Sequence, residues 1–97
     1  MIAFRTLHIL NKPPEHSRFR LCLSAMQPED GLLLIENGVL AVAVTGAETL
    51  DVNNERCFAL QPDLEARGLS SKISPDQTVS FVDMVELVTS AENVISW

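Results

Sequence analysis

The chain has two thiols, Cys22 and Cys57, and two imidazoles, His8 and His16, and these four side chains carry most of the nucleophilic, proton-transfer and metal-binding chemistry open to it. A thiol attacks as its thiolate, so a reactive cysteine needs positive potential close by. Cys22 has Arg18 four residues before it, with Lys12, His16 and Arg20 also near in sequence, a setting that lowers a thiol pKa. The same residue falls with Phe19, Leu23 and Met26 at i, i+3, i+4 and i+7, the apolar stripe of a helix, where a thiol is inert packing. Both readings of Cys22, candidate nucleophile and core residue, stand on the sequence. Cys57, flanked by Phe58 and Leu60, reads as a small hydrophobe, and His8, inside an apolar run, reads as a hydrogen-bonded core histidine.

Other chemistries lack their motifs. Neither histidine lies at zinc-ligand spacing from the cysteines, so no metal is expected. No G-x-S-x-G elbow positions a serine nucleophile. With four scattered glycines and neither G-x-G-x-x-G nor a Walker sequence, no loop brings several backbone amides to a phosphate; no cofactor is expected, and a nucleotide- or flavin-binding module is disfavoured.

The elements that must hold these residues alternate. Ala3 to Leu10 is apolar and β-favouring and stops at Asn11-Lys12-Pro13-Pro14. Ser17 caps the helix that carries Cys22, and Pro28-Glu29-Asp30-Gly31 breaks it. Leu32 to Ile35 is a continuous apolar run, as in a strand buried on both faces. Glu36-Asn37-Gly38 reads either as a hairpin turn or as a helix start; a parallel sheet needs a crossover there, which favours a short helix over Val39 to Val44. After a polar loop at 46–54, Arg56 to Leu60 gives a third strand, and Pro62 to Arg67, closed by Gly68, a brief helix. Ser70 to Gln77 is loop and Val79 to Val82 a fourth strand. Asp83 with Glu86 starts a helix over Met84 to Ser90, and Val94 to Trp97 closes as a fifth strand. This order predicts one α/β domain over residues 1–97, flavodoxin-like, in three layers, with a mostly parallel sheet of about five strands and helices on both faces.

Composition narrows the function. The longest nearly apolar stretch, Gly38 to Val44, is far below the roughly 20 residues of a membrane span, and Met1 to Leu10 lacks the features of a signal peptide, so a cytoplasmic location is expected. The net charge of −6 argues against a direct grip on nucleic acid. Charge is uneven: residues 1–22 carry a net +3 and the remainder −9, an asymmetry that marks a contact surface or simply a solvated face. A hydrophobic share of 46% in so short a chain points to an interface with protein partners.

Three segments carry a family resemblance: Leu7-His8-Ile9-Leu10-Asn11-Lys12-Pro13-Pro14, Leu32-Leu33-Leu34-Ile35-Glu36-Asn37-Gly38-Val39, and Leu60-Gln61-Pro62-Asp63-Leu64-Glu65-Ala66-Arg67-Gly68-Leu69. Together with the terminal Trp97 they resemble the TusB/DsrH family of small sulfur-relay subunits, whose fold is DsrE-like. The resemblance implies a heterohexamer with TusC/DsrF-like and TusD/DsrE-like partners, served by persulfide carrier proteins, in which the principal sulfur-accepting cysteine belongs to the TusD/DsrE-like subunit. In TusB-like members it implies sulfur transfer toward 2-thiouridine at the tRNA wobble position, with this chain mainly an assembly subunit. In DsrH-like members it implies sulfur oxidation, and those members carry a cysteine in the first helix, the place Cys22 occupies, sixteen residues before Gly38. Catalysis by this chain itself is thereby left open, with Cys22 the candidate sulfur carrier.

Overall fold

A computed structural model describes residues 4–43 and 55–97. The expected polar loop at 46–54 and the last residue of the expected helix, Val44, lie outside the fully described residues, as does Ala3 at the start of the first expected strand. Five strands are present among the described residues: β1 (Thr6–Leu10), β2 (Gly31–Leu34), β3 (Cys57–Leu60), β4 (Thr78–Val79) and β5 (Asn93–Ser96). They form one sheet in the order β4-β3-β2-β1-β5, with every adjacent pair parallel. The apolar runs explain this choice, because a parallel strand buried on both faces has no polar side to show. All four residues of β2 are buried.

Among the described residues the two faces are covered unequally. On one, Leu10, Leu32, Leu34, Cys57 and Ala59 pack against α1 (Ser17–Ala25), the 3₁₀ segment Glu36–Ala43 and α2 (Gln61–Ala66), through Phe19, Cys22, Val39, Val42 and Leu64. On the other, Leu7, Leu33 and Leu60 meet α3 (Phe81–Ser90) through Leu87, with Met84 and Val88 beside it. Burial of such side chains contributes on the order of 2 kcal/mol each against an exposed reference.

Local chemistry sets the boundaries. The cap of α1 is His16, whose Nδ1 accepts from Arg18 N at 3.0 Å, where Ser17 was expected. The expected helix over Val39 to Val44 is a 3₁₀ segment that begins earlier, at Glu36, whose φ of 49° turns the chain out of β2. Its backbone N–H is held by Asp63 Oδ2 at 2.7 Å. Asn37 accepts from the Arg67 guanidinium at 3.1 Å, so the Asn-Gly pair makes no hairpin. Gly38 is obligatory here, since a Cβ would overlap the carbonyl oxygen of Leu10.

The expected fourth strand over Val79 to Val82 is cut short. Ser80 and Asp83 form a reciprocal capping box, so the helix starts at Phe81, and the strand ends at Val79. Within 70–77, expected as loop, Ser70–Lys72 and Pro75–Gln77 form 3₁₀ turns, the second capped by Ser74.

Candidate functional site

Parallel sheets of this kind offer ligand sites beyond the carboxyl ends of their strands, at the point where successive connections diverge. Here β1 leads through α1 toward β2, whereas α3 carries the chain from β4 across the sheet to β5. The divergence therefore lies between β1 and β5. Lys12, just past the end of β1, donates to the Trp97 backbone oxygen at 2.8 Å, and Arg18 Nε donates to the same oxygen at 3.2 Å. The Arg18 guanidinium lies 5.3 Å over the indole ring, a cation–π distance.

Below Trp97 sits His8, 1% exposed. The Trp97 indole N–H donates to His8 Nδ1 at 3.0 Å, and the rings stack with centroids 6.1 Å apart. Since Nδ1 accepts, the hydrogen-bond network assigns the proton of the neutral ring to Nε2, which donates to Asp30 Oδ2 at 2.8 Å. Asp30 also accepts from Gln27 N at 3.0 Å. Burial works to raise the Asp30 pKa, but the Gln27 amide, the His8 hydrogen bond and a Thr6 backbone contact outweigh it and hold the carboxyl below its ordinary value. His8 is thus the satisfied core histidine its apolar strand implies. Its partners were not found from sequence: Asp30 reads as turn chemistry and Trp97 as the end of a strand. The signal available was the lone imidazole in an apolar run, which requires polar partners somewhere in the fold.

The arrangement spends its cations on Trp97. Cys22, on α1 one turn beyond Arg18, points into the core at 0% exposure and carries a free thiol. Burial pushes that thiol up to about 12, the opposite of the activation that nearby positive residues imply. The helical stripe, rather than the sequence proximity of Arg18, decides its surroundings. Cys57 is buried as well, at 3%, at the start of β3, and its carbonyl accepts from Gln77 Nε2 at 3.0 Å. Gln77, itself buried, is a second buried polar group that sequence reasoning passed over. His16 is exposed and serves as the α1 cap. The structure therefore brings together His8, Lys12, Arg18 and Trp97, and buries both cysteines in the core cluster against which Trp97 packs. Among the described residues no group of three or more His, Cys, Asp or Glu is placed to hold a metal, and no helix is long and apolar enough to cross a membrane.

Residues 12–94 match the family model described as DsrH like protein. Similar proteins include Protein TusB of Enterobacter sp. (strain 638), 35% identical over 94% of this chain and 99% of the relative. Protein TusB of Escherichia coli O81 (strain ED1a) is likewise 35% identical over the same shares, and that of Pectobacterium atrosepticum 30% identical over 94% of this chain and 99% of its own length.

Proposed function

The chain belongs to the DsrH-like family of sulfur-relay subunits, and on that premise we propose that it is an assembly subunit of a cytoplasmic TusBCD-like complex, acting as one domain, that passes persulfide sulfur toward 2-thiouridine at the tRNA wobble position. One observation carries the assembly reading. The thiol that occupies the place of a first-helix relay cysteine, Cys22, is fully buried and held protonated, so it is no nucleophile in this conformation. The sulfur-accepting thiol of the relay then belongs to a TusD/DsrE-like partner, and a TusC/DsrF-like subunit completes the assembly. The end-to-end match to relatives called TusB supports the tRNA branch over sulfur oxidation.

A strain lacking this chain tests the reading. Wobble 2-thiouridine, measured by mass spectrometry of digested tRNA, is expected to fall, and both the wild-type chain and Cys22→Ser are expected to restore it. Unchanged 2-thiouridine in the deletion strain overturns the tRNA assignment. A second reading, a DsrH-type subunit with Cys22 as acceptor, is favoured only by the position of Cys22 in α1, and it requires α1 to lift from the sheet before the thiol is reached. Restoration by the wild type but not by Cys22→Ser selects that reading.

A further inference from the structure

The strands of the sheet are held to very different degrees. All four residues of β2 are buried, whereas all four of β5 are exposed, Val94 (40%) and Ile95 (43%) among them. Among the described residues β5 lies at the sheet edge and pairs with β1 alone. Backbone bonds fix it from Asn93 N–H to the Arg5 carbonyl at 2.9 Å and, just past the strand, from Trp97 N–H to the Ile9 carbonyl at 2.8 Å. An element with exposed hydrogen bonds and little buried apolar surface opens at low cost compared with the core. The residue that fastens it is Trp97, which packs on the core cluster beneath α1. Its indole N–H reaches His8, its backbone oxygen takes Lys12 and Arg18, and the Arg18 guanidinium lies over its ring.

His8 is tied at both ring nitrogens, and the two ties belong to different parts of the fold. Nε2 is held by Asp30, in the connection between α1 and β2, and Asp30 is fixed in turn by Gln27 N. Nδ1 is held by the Trp97 indole, which moves with β5. We propose that β5 and Trp97 form a strap, buckled by His8, Lys12 and Arg18, that opens while the rest of the sheet stays folded and uncovers Nδ1 of His8. The uncovered imidazole stays oriented by Asp30 and presents its lone pair toward the divergence between β1 and β5, where Lys12 and Arg18 have lost their shared acceptor. An N–H, O–H or S–H donor of a bound molecule can then take the place of the indole. The strap is a property of this chain alone and does not depend on the relay reading.

The test is native-state amide exchange of the full-length chain, followed by NMR in urea below the unfolding transition, with diethyl pyrocarbonate labelling of the imidazoles read by mass spectrometry. In the wild type the Asn93 and Trp97 amides should be at least about a hundredfold less protected than those of Leu32 and Ile35. They should also respond little to urea, because opening the strap exposes little surface. Buried His8 should label far more slowly than exposed His16, yet with the shallow urea dependence of β5. Trp97→Ala should speed both β5 exchange and His8 labelling at least about tenfold, and Trp97→Phe, which keeps the ring, should speed both by a smaller, shared factor. Asn93 and Trp97 amides with the protection and urea slope of Leu32 overturn the strap. His8 labelling that follows the Leu32 slope while β5 opens on its own overturns the uncovering of His8. If Trp97→Ala fails to fold, the wild-type slopes still decide, and β5 exchange unchanged in Trp97→Phe overturns the buckle.

Discussion

At the level of single residues, the molecule separates two kinds of buried polar group. Asp30 is a carboxylate held below its ordinary pKa in the fold, so the native state binds fewer protons there than the unfolded chain does. Its contribution to stability is present above the unfolded value near 3.8 and is lost as pH falls through the folded value. Asp30→Asn should therefore cost about 2 kcal/mol at neutral pH and flatten the acid limb of the stability profile, measured by urea unfolding from pH 7 downward. An unchanged acid limb would show that the His8–Asp30 contact contributes nothing. Cys22 has the opposite sign. Its folded pKa, near 12, lies above the ordinary 9.0, so the native state keeps a proton that the unfolded chain releases between those values, and stability declines as pH rises through that window. Iodoacetamide should label Cys22 in the native protein only at the rate of transient opening, with no labelling midpoint below pH 9; a midpoint near 7 would contradict this. Trp97→Phe keeps a ring over His8 but removes the indole N–H, and should cost about 1 kcal/mol in the same unfolding measurement.

The elements show what a sequence discloses and what it conceals. The apolar runs at Leu32 to Ile35 and Arg56 to Leu60 lie within a residue of β2 and β3, because a strand buried on both faces leaves an unbroken hydrophobic signature. The stripe of Phe19, Cys22, Leu23 and Met26 was legible for the same reason: its period matches the helix, and Cys22 went where the stripe put it. Boundaries were less legible. Val79-Ser80-Phe81-Val82 has strand composition, but two reciprocal hydrogen bonds between Ser80 and Asp83 outweigh β propensity and start a helix inside the run. Ser80→Ala should thus cost about 1 kcal/mol, read as a drop in Tm, and no drop would deny the box its role. In the 3₁₀ segment after β2, Gly38 lies against the Leu10 carbonyl, a contact between segments far apart in sequence that no local pattern encodes. The site was concealed for the same reason: Lys12, Arg18 and Trp97 meet only once β5 has returned beside β1.

For the whole molecule, the uneven covering of the sheet and the placement of the thiols fit one account. Among the described residues, α1, the 3₁₀ segment Glu36–Ala43 and α2 pack on one face of the five-stranded sheet and α3 on the other, where Phe81, Val82 and Val85 remain exposed. Lys12 and Arg18 both donate to the Trp97 backbone oxygen, beyond the carboxyl end of β1, where parallel sheets commonly hold ligands. Both thiols, Cys22 and Cys57, lie in the core. In the proposed role, sulfur passes through the complex without resting on this chain. The decisive experiment is intact-mass analysis of the chain within the complex, coexpressed with both sister subunits and loaded from a persulfide donor. An unmodified mass for this chain with added sulfur on a partner is expected; one added sulfur on this chain, absent in Cys22→Ser, overturns that role.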